Sequence, residues 1–250
     1  MGKFFFDPTM MRSDCKVVFL GAYAHHMINV LRFRYGDEAI LCDGNCTDFA
    51  ATVESIASNP KPVIEFILLS ASPSKTEPPT PITLFQGLPK SDKMEIIIEK
   101  CIEIGVTEIV PVSTSRSLLK ATSASKKMER YIRIAQSAAS QSMRGIIPKI
   151  LSPVGFMEAL DYDNAEMCLV AYEKEYKRNI PSVIKSTSPT PVSIWVGPEG
   201  GFDDDEINIL IEKRKAIPIS LGPRILRTET AGIVAISQIL CFWEHHNDIF

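Results

Sequence analysis

Val192-Ser193-Ile194-Trp195-Val196-Gly197-Pro198-Glu199-Gly200-Gly201-Phe202-Asp203 is the stretch on which the fold turns. Residues 192–196 are β-branched or aromatic with one serine, a strand buried on both faces. Three glycines in five residues end it, and Asp203 opens a helix whose acidic start (203–206) and basic end (Lys213, Arg214, Lys215) complement the helix dipole. Working outward, the same order recurs. Strands are expected at Ile82–Gln86, Glu108–Val112, Met167–Tyr172, Val192–Val196 and Ile217–Leu221. After the first, Asp92 reads as an N-cap with Glu95 three residues on, Met94, Ile97, Ile98, Cys101 and Ile102 share one helix face, and Gly105 stops the helix. Alternating strands and amphipathic helices mean an α/β domain with a mostly parallel sheet. Ligands of such sheets sit beyond the carboxyl ends of strands, so the loops after strands are where chemistry is sought.

Upstream, SASPSKTEPPTP (Ser70–Pro81) is dense in Pro, Ser and Thr and reads as a linker between a first domain at 1–72 and a second at 80–250. Before it, short β-rich runs at Lys16–Leu20, Ala39–Cys42, Phe49–Ile56 and Val63–Ser70, with one helix around His25–Leu31, suit a small barrel or rolled sheet. The chain has 250 residues, 27 Lys and Arg against 30 Asp and Glu, and 45% hydrophobic residues, which excludes a disordered chain. No apolar run reaches the ~18 residues of a spanning helix, and no secretory leader is evident, so a cytoplasmic protein without membrane contact is expected. Of six cysteines only Cys42 and Cys46 are close, with no second pair at ligand spacing, so neither a metal site nor a disulfide is expected. His245 and His246 read as an exposed helix end, not a metal pair. Residues 90–149 hold 11 basic and 6 acidic side chains, a surplus that suits phosphate contact as well as plain solvation.

Two loops stand out. Gly197-Pro198-Glu199-Gly200-Gly201-Phe202 leaves main-chain amides uncovered for a ligand, although a tight strand-to-helix turn explains the glycines equally. No phosphate-cradle or dinucleotide fingerprint occurs anywhere in the chain, which weakens ATP and dinucleotide readings. Gly222-Pro223-Arg224-Ile225-Leu226-Arg227-Thr228-Glu229-Thr230-Ala231 follows the last strand; two arginines and a glutamate beside Leu226 need partners, which favours a functional loop.

These segments, GPEGGF and LGPRILRTETA, with LPKSDKMEIIIEKCIEIGV, QSMRGIIPKI and the N-terminal HHMINVLRFRYGDE, resemble the bacterial 16S ribosomal RNA uridine N3-methyltransferases of the SPOUT class. One mild departure is Ser91 where the family often has Gly. The resemblance implies a small PUA-like β-barrel that binds RNA, followed by a SPOUT-type parallel-sheet domain whose C-terminal region forms a trefoil knot. It also implies S-adenosylmethionine as methyl donor, 16S rRNA within the small ribosomal subunit as substrate, and a homodimer. A methyltransferase for another RNA and a non-catalytic RNA-binding homologue are the alternatives.

On that resemblance, three strand-end loops hold the donor: Ala171 in the first, Gly197, Pro198, Gly200 and Gly201 in the second, and Ser220, Leu221, Gly222, Leu226, Thr228 and Thr230 in or just after the third. Arg224 and Arg227 are the cations expected to favour the anion formed when uracil N3 loses its proton, and Glu199 and Glu229 are the nearest carboxylates. A salt bridge from either arginine to those glutamates would instead hold the loop closed. For RNA phosphate the candidates are His26, Arg32 and Arg34 in the barrel and Lys90, Lys93, Arg116 and Arg144 beyond it.

Overall fold

The computed structural model describes residues 2–12, 14–58, 60–118, 127–185 and 187–245. His246 lies outside them, as does the side chain of His245. The chain divides into two compact units: residues 1–77 with 139–147, and residues 78–138 with 148–250.

The first unit is a curled sheet of β1 (Phe4–Phe5), β2 (Lys16–Leu20), β3 (Glu38–Cys42), β4 (Thr47–Ala57) and β5 (Val63–Pro73), in the order β1-β3-β4-β5-β2. Only β1 pairs in parallel, with β3. Alternate residues point inward, and Val17, Phe19, Leu41, Val53, Ile64 and Phe66 form the core. The helix expected at His25–Leu31 begins earlier, as α1 (Gly21–His25), and continues as a π-helical turn over His26–Val30. Part of the expected linker is strand. Ser70, Ala71, Ser72 and Pro73 pair with Ala50, Phe49, Asp48 and Thr47, past a bulge at Ala50/Ala51, and Pro73 is tolerated because it is the last residue of the ladder.

The segment 139–147, distant in sequence, belongs to this first unit. Lys3 N donates to Ser140 O at 2.9 Å, and Cys46 N donates to Gly145 O at 3.0 Å. Glu77 accepts from two of the three Arg144 guanidinium nitrogens, Nε at 2.9 Å and NH2 at 2.6 Å, and from the Gly145 amide at 2.6 Å. Lys3, fully buried, is neutralised by Asp48 at 2.7 Å and bonds Ser74.

The second unit is a parallel sheet in the order β12-β10-β11-β6-β7-β8, with β9 also on β7: β6 (Ile82–Gly87), β7 (Glu108–Ser113), β8 (Lys149–Ile150), β9 (Val154–Gly155), β10 (Met167–Ala171), β11 (Val192–Val196) and β12 (Ile217–Ile219). Its helices are α2 (Lys93–Ile104), α3 (Met128–Gln141, whose last residues count with the first unit), α4 (Phe156–Tyr162), α5 (Ile180–Ile184), α6 (Asp204–Arg214) and α7 (Thr228–His245). Strand β11 is central. All five of its residues are buried, and Trp195 stacks on Phe85 with ring centroids 4.3 Å apart. The indole N–H, the Ser193 hydroxyl and Arg214 all donate to Asp163, which compensates a buried carboxylate.

Helix α6 starts where the acidic run placed it, and with a capping box: Asp203 accepts from the Glu206 amide at 2.7 Å, and Glu206 accepts from the Asp203 amide. Helix α2 lacks such a box. Asp92 makes no side-chain cap bond; its carboxylate takes Lys127 at 2.8 Å, and Glu95 takes Arg130 at 2.6 Å. Cations brought by the neighbouring helix outcompete the local amides.

Candidate functional site

Because β12, β10 and β11 are adjacent and parallel, their carboxyl ends lie side by side, and the loops that follow meet there. After β12, at the sheet edge, the chain returns to start α7 against the inner strands. Thr228 Oγ1 donates to Gly197 O at 2.6 Å and accepts from Gln86 Nε2 of β6 at 2.8 Å. The loops enclose a cleft of about 520 Å³, within the size range of small-molecule sites. Ala171, Gly197, Pro198, Gly200, Gly201, Ser220, Leu221, Gly222, Leu226 and Thr228 all line it, as do Glu199, Arg224 and Arg227. Thr230 does not; it is spent on the first turn of α7, where its amide bonds Arg227 O at 2.9 Å.

The three glycines of the GPEGG loop have different tasks. A Cβ at Gly197 would stand 2.8 Å from Gly201 C, so that glycine closes the loop on itself. One at Gly200 would press the Arg116 side chain at 3.3 Å. Gly201, at φ +68°, lies where L side chains are disfavoured, and a Cβ there would meet the Glu173 carboxylate at 3.3 Å on the cleft side. Gly222, at φ +124°, has open space in front of it.

One cation ties the loops together. Lys93, at the start of α2, stands 3.0 Å from Glu199 Oε1 and 3.2 Å from Glu229 Oε2. Glu199 also accepts from the Lys90 amide at 3.1 Å. Burial pushes the Glu199 carboxyl up, but its own amide, the Lys93 ammonium and the Lys90 amide together carry it below the usual carboxylate range. The same two glutamates raise the Lys93 ammonium above its ordinary value. Lys93, expected to meet phosphate, thus has its charge matched within the protein. Glu199 and Glu229, named as the nearest carboxylates, are engaged in holding α2, the GPEGG loop and the start of α7 to one another.

Other expected RNA contacts divide in the same way. Arg144 is 2% exposed and paired with Glu77, so it faces no phosphate. Arg116 is exposed but donates to Gly200 O at 2.7 Å, bracing the glycine loop. His26, Arg32 and Arg34 are exposed on the first unit, and Lys90 on the second. Arg224 is exposed, and Arg227 is 82% exposed with only a 3.9 Å approach to Glu229. Among the described residues, no group of three metal-ligating side chains comes together, and no helix is long and apolar enough to cross a membrane.

Reading by sequence passed over most of the loop after β10. Tyr172, Glu173, Glu175 and Tyr176 line the cleft, and their signal was an acidic and aromatic run directly after an apolar strand.

Residues 76–240 match the family model described as the RNA methyltransferase domain, and residues 21–67 match the RNA methyltransferase PUA domain. The chain is 33% identical, over 96% of both chains, to ribosomal RNA small subunit methyltransferase E of Bacillus subtilis. It superimposes with a TM-score of 0.83 on the crystal structure of ribosomal RNA small subunit methyltransferase E from Neisseria gonorrhoeae bound to S-adenosyl methionine, at 29% identity, covering 97% of this chain and 98% of that one. A methyltransferase structure from Legionella pneumophila, also with that cofactor bound, gives a TM-score of 0.82 at 28% identity and 96% coverage of each chain.

Proposed function

The chain belongs to the ribosomal RNA small subunit methyltransferase E family and is an S-adenosylmethionine-dependent methyltransferase of ribosomal RNA, and from that premise we propose that it methylates N3 of a uridine in 16S rRNA. The single observation that carries the reading is the cleft walled by three adjacent strand-end loops, with Gly201 at a left-handed φ baring its backbone on one side. The residues fit the donor. Gly201, Leu221 and Gly222 offer main-chain groups to an adenosine, Leu226 and Ile219 offer apolar wall, and a side chain at Gly201 would fill the cradle.

When bound, S-adenosylmethionine supplies a methyl carbon activated by its sulfonium. The chain's part is to align that carbon with the acceptor and to exclude water, and alignment of this kind is worth ~7–11 kcal/mol in well-oriented systems. Arg227 and Arg224, exposed at the rim, hold the target by its phosphate or carbonyl oxygens and favour the imide anion of the uracil over its N3-protonated form. Glu199 is a poor proton acceptor because Lys93 and two amides already bond it, so it positions the loop. Arg32, Arg34 and His26 on the PUA unit, with Lys90, supply RNA phosphate contacts. The resemblance further implies a trefoil knot in the C-terminal region, a homodimer, a cytoplasmic location and no metal.

Mass-spectrometric mapping of 16S rRNA from cells lacking this chain tests the proposal. A single uridine that loses its N3 methyl group, and regains it when the chain is supplied, is the expected result. An unchanged 16S rRNA with a methyl lost from another RNA, or from none, sinks it.

A further inference from the structure

Three carboxylates line the cleft: Glu173, Glu175 and Glu199. Glu175 is saturated by the amides of Lys177 at 2.7 Å and Arg178 at 3.1 Å and by the Arg178 guanidinium. Glu199 is held by Lys93 and the Lys90 amide. Glu173 has no hydrogen bond or ion pair among the described residues. Its sequence neighbour Lys174 turns to Asp204 at 2.6 Å, which also receives the Tyr172 hydroxyl at 3.1 Å. Both Glu173 oxygens lie 3.3 Å from where a Cβ would stand on Gly201, so the carboxylate faces the one glycine whose backbone must stay bare toward the cleft.

An exposed carboxylate with no protein partner on the wall of a binding cleft is complementary to a cation of the ligand. The donor carries two positive centres. Its sulfonium has no N–H or O–H to donate, whereas its α-ammonium has three donors for a charge-assisted bond. The ribose diol is neutral and would make weaker bonds to the same group. Resting on the reading of this cleft as the S-adenosylmethionine site, we infer that Glu173 binds the α-ammonium of the donor's methionine portion and so selects ligands that carry an amino-acid tail.

Calorimetry on the full chain and on Glu173→Gln, with S-adenosylmethionine, S-adenosylhomocysteine and methylthioadenosine, tests the assignment. The first two carry the ammonium, only the first carries the sulfonium, and the third keeps the ribose, the adenine and a neutral thioether. Glu173→Gln is expected to weaken the first two equally, by about ten- to hundredfold, and to leave methylthioadenosine unchanged. The thermal midpoint should not move, since the side chain is exposed. Weakening of S-adenosylmethionine alone would move the contact to the sulfonium, and equal weakening of all three would move it to the ribose; either overturns the inference. Unchanged binding of all three by the variant overturns it too, while the donor site stands. Wild-type chain that binds none of the three overturns the underlying reading itself.

Discussion

Gly201→Val probes the cleft where local backbone and ligand approach coincide. At φ +68° an L residue costs about 1–2 kcal/mol, and more when β-branched, because its Cβ crowds the following carbonyl. The new Cβ would also stand 3.3 Å from both Glu173 oxygens, so that side chain must give by a few tenths of an ångström. For a chain of this size that cost lowers the thermal midpoint by about 2–8 °C. The two further methyl groups project from the surface that must lie against the nucleoside, so donor affinity should fall by at least about a hundredfold, close to 2.7 kcal/mol. Gly201→Ala should keep the stability cost and lose less affinity. Gly155→Ala is the control, with φ −72° and nothing within 4 Å of the added carbon, and both readouts should stay at wild-type values. Isothermal calorimetry with S-adenosylmethionine and differential scanning calorimetry read the two effects separately. Donor binding by Gly201→Val within twofold of wild type would refute the reasoning, leaving the glycine as a turn residue only.

Arg227→Ala should lower the single-turnover methylation rate of small subunits by at least about tenfold while leaving the thermal midpoint in place, because an exposed ion pair at 3.9 Å contributes little stability; a large fall in midpoint with normal rate would reverse the assignment. Lys93→Met leaves Glu199 and Glu229 without their shared cation. The wild-type Glu199 carboxyl is depressed, so its contribution to loop order is present above the ordinary carboxylate pKa and is lost as pH falls through the depressed value. In the variant, burial acts with less opposition, and the acid limb of donor binding, followed by titration calorimetry, should shift to higher pH; an unshifted limb would remove Lys93 from this role. Arg144→Ala strands Glu77 in a partly buried position and should destabilise the first unit by about 3 kcal/mol, read by denaturant unfolding. The salt dependence of subunit binding should not change in that variant, and a slope reduced by about one would restore Arg144 as a phosphate contact.

Periodicity, caps and composition act over a few residues, and what they control was legible in the chain. The strand at Val192–Val196, the helix opening at Asp203, the stop at Gly105 and the loop with three glycines all follow from neighbours in sequence, and they led to the parallel sheet and to the loops that carry the site. The same local logic failed at Asp92, where Lys127 replaced a helix amide as partner, and at Ser70–Pro73, where pairing with β4 outweighed a composition that favours a linker. Nothing near position 144 announces that Glu77 waits for its guanidinium, and nothing near position 93 announces two glutamates from distant loops. Residue type and local pattern thus fixed which groups the chain owns and which elements they sit on. Which of those charges are spent on one another, and which stay free for a ligand, only the tertiary structure decided, because a Coulombic or hydrogen-bonded match depends on distances through space that a linear pattern does not encode.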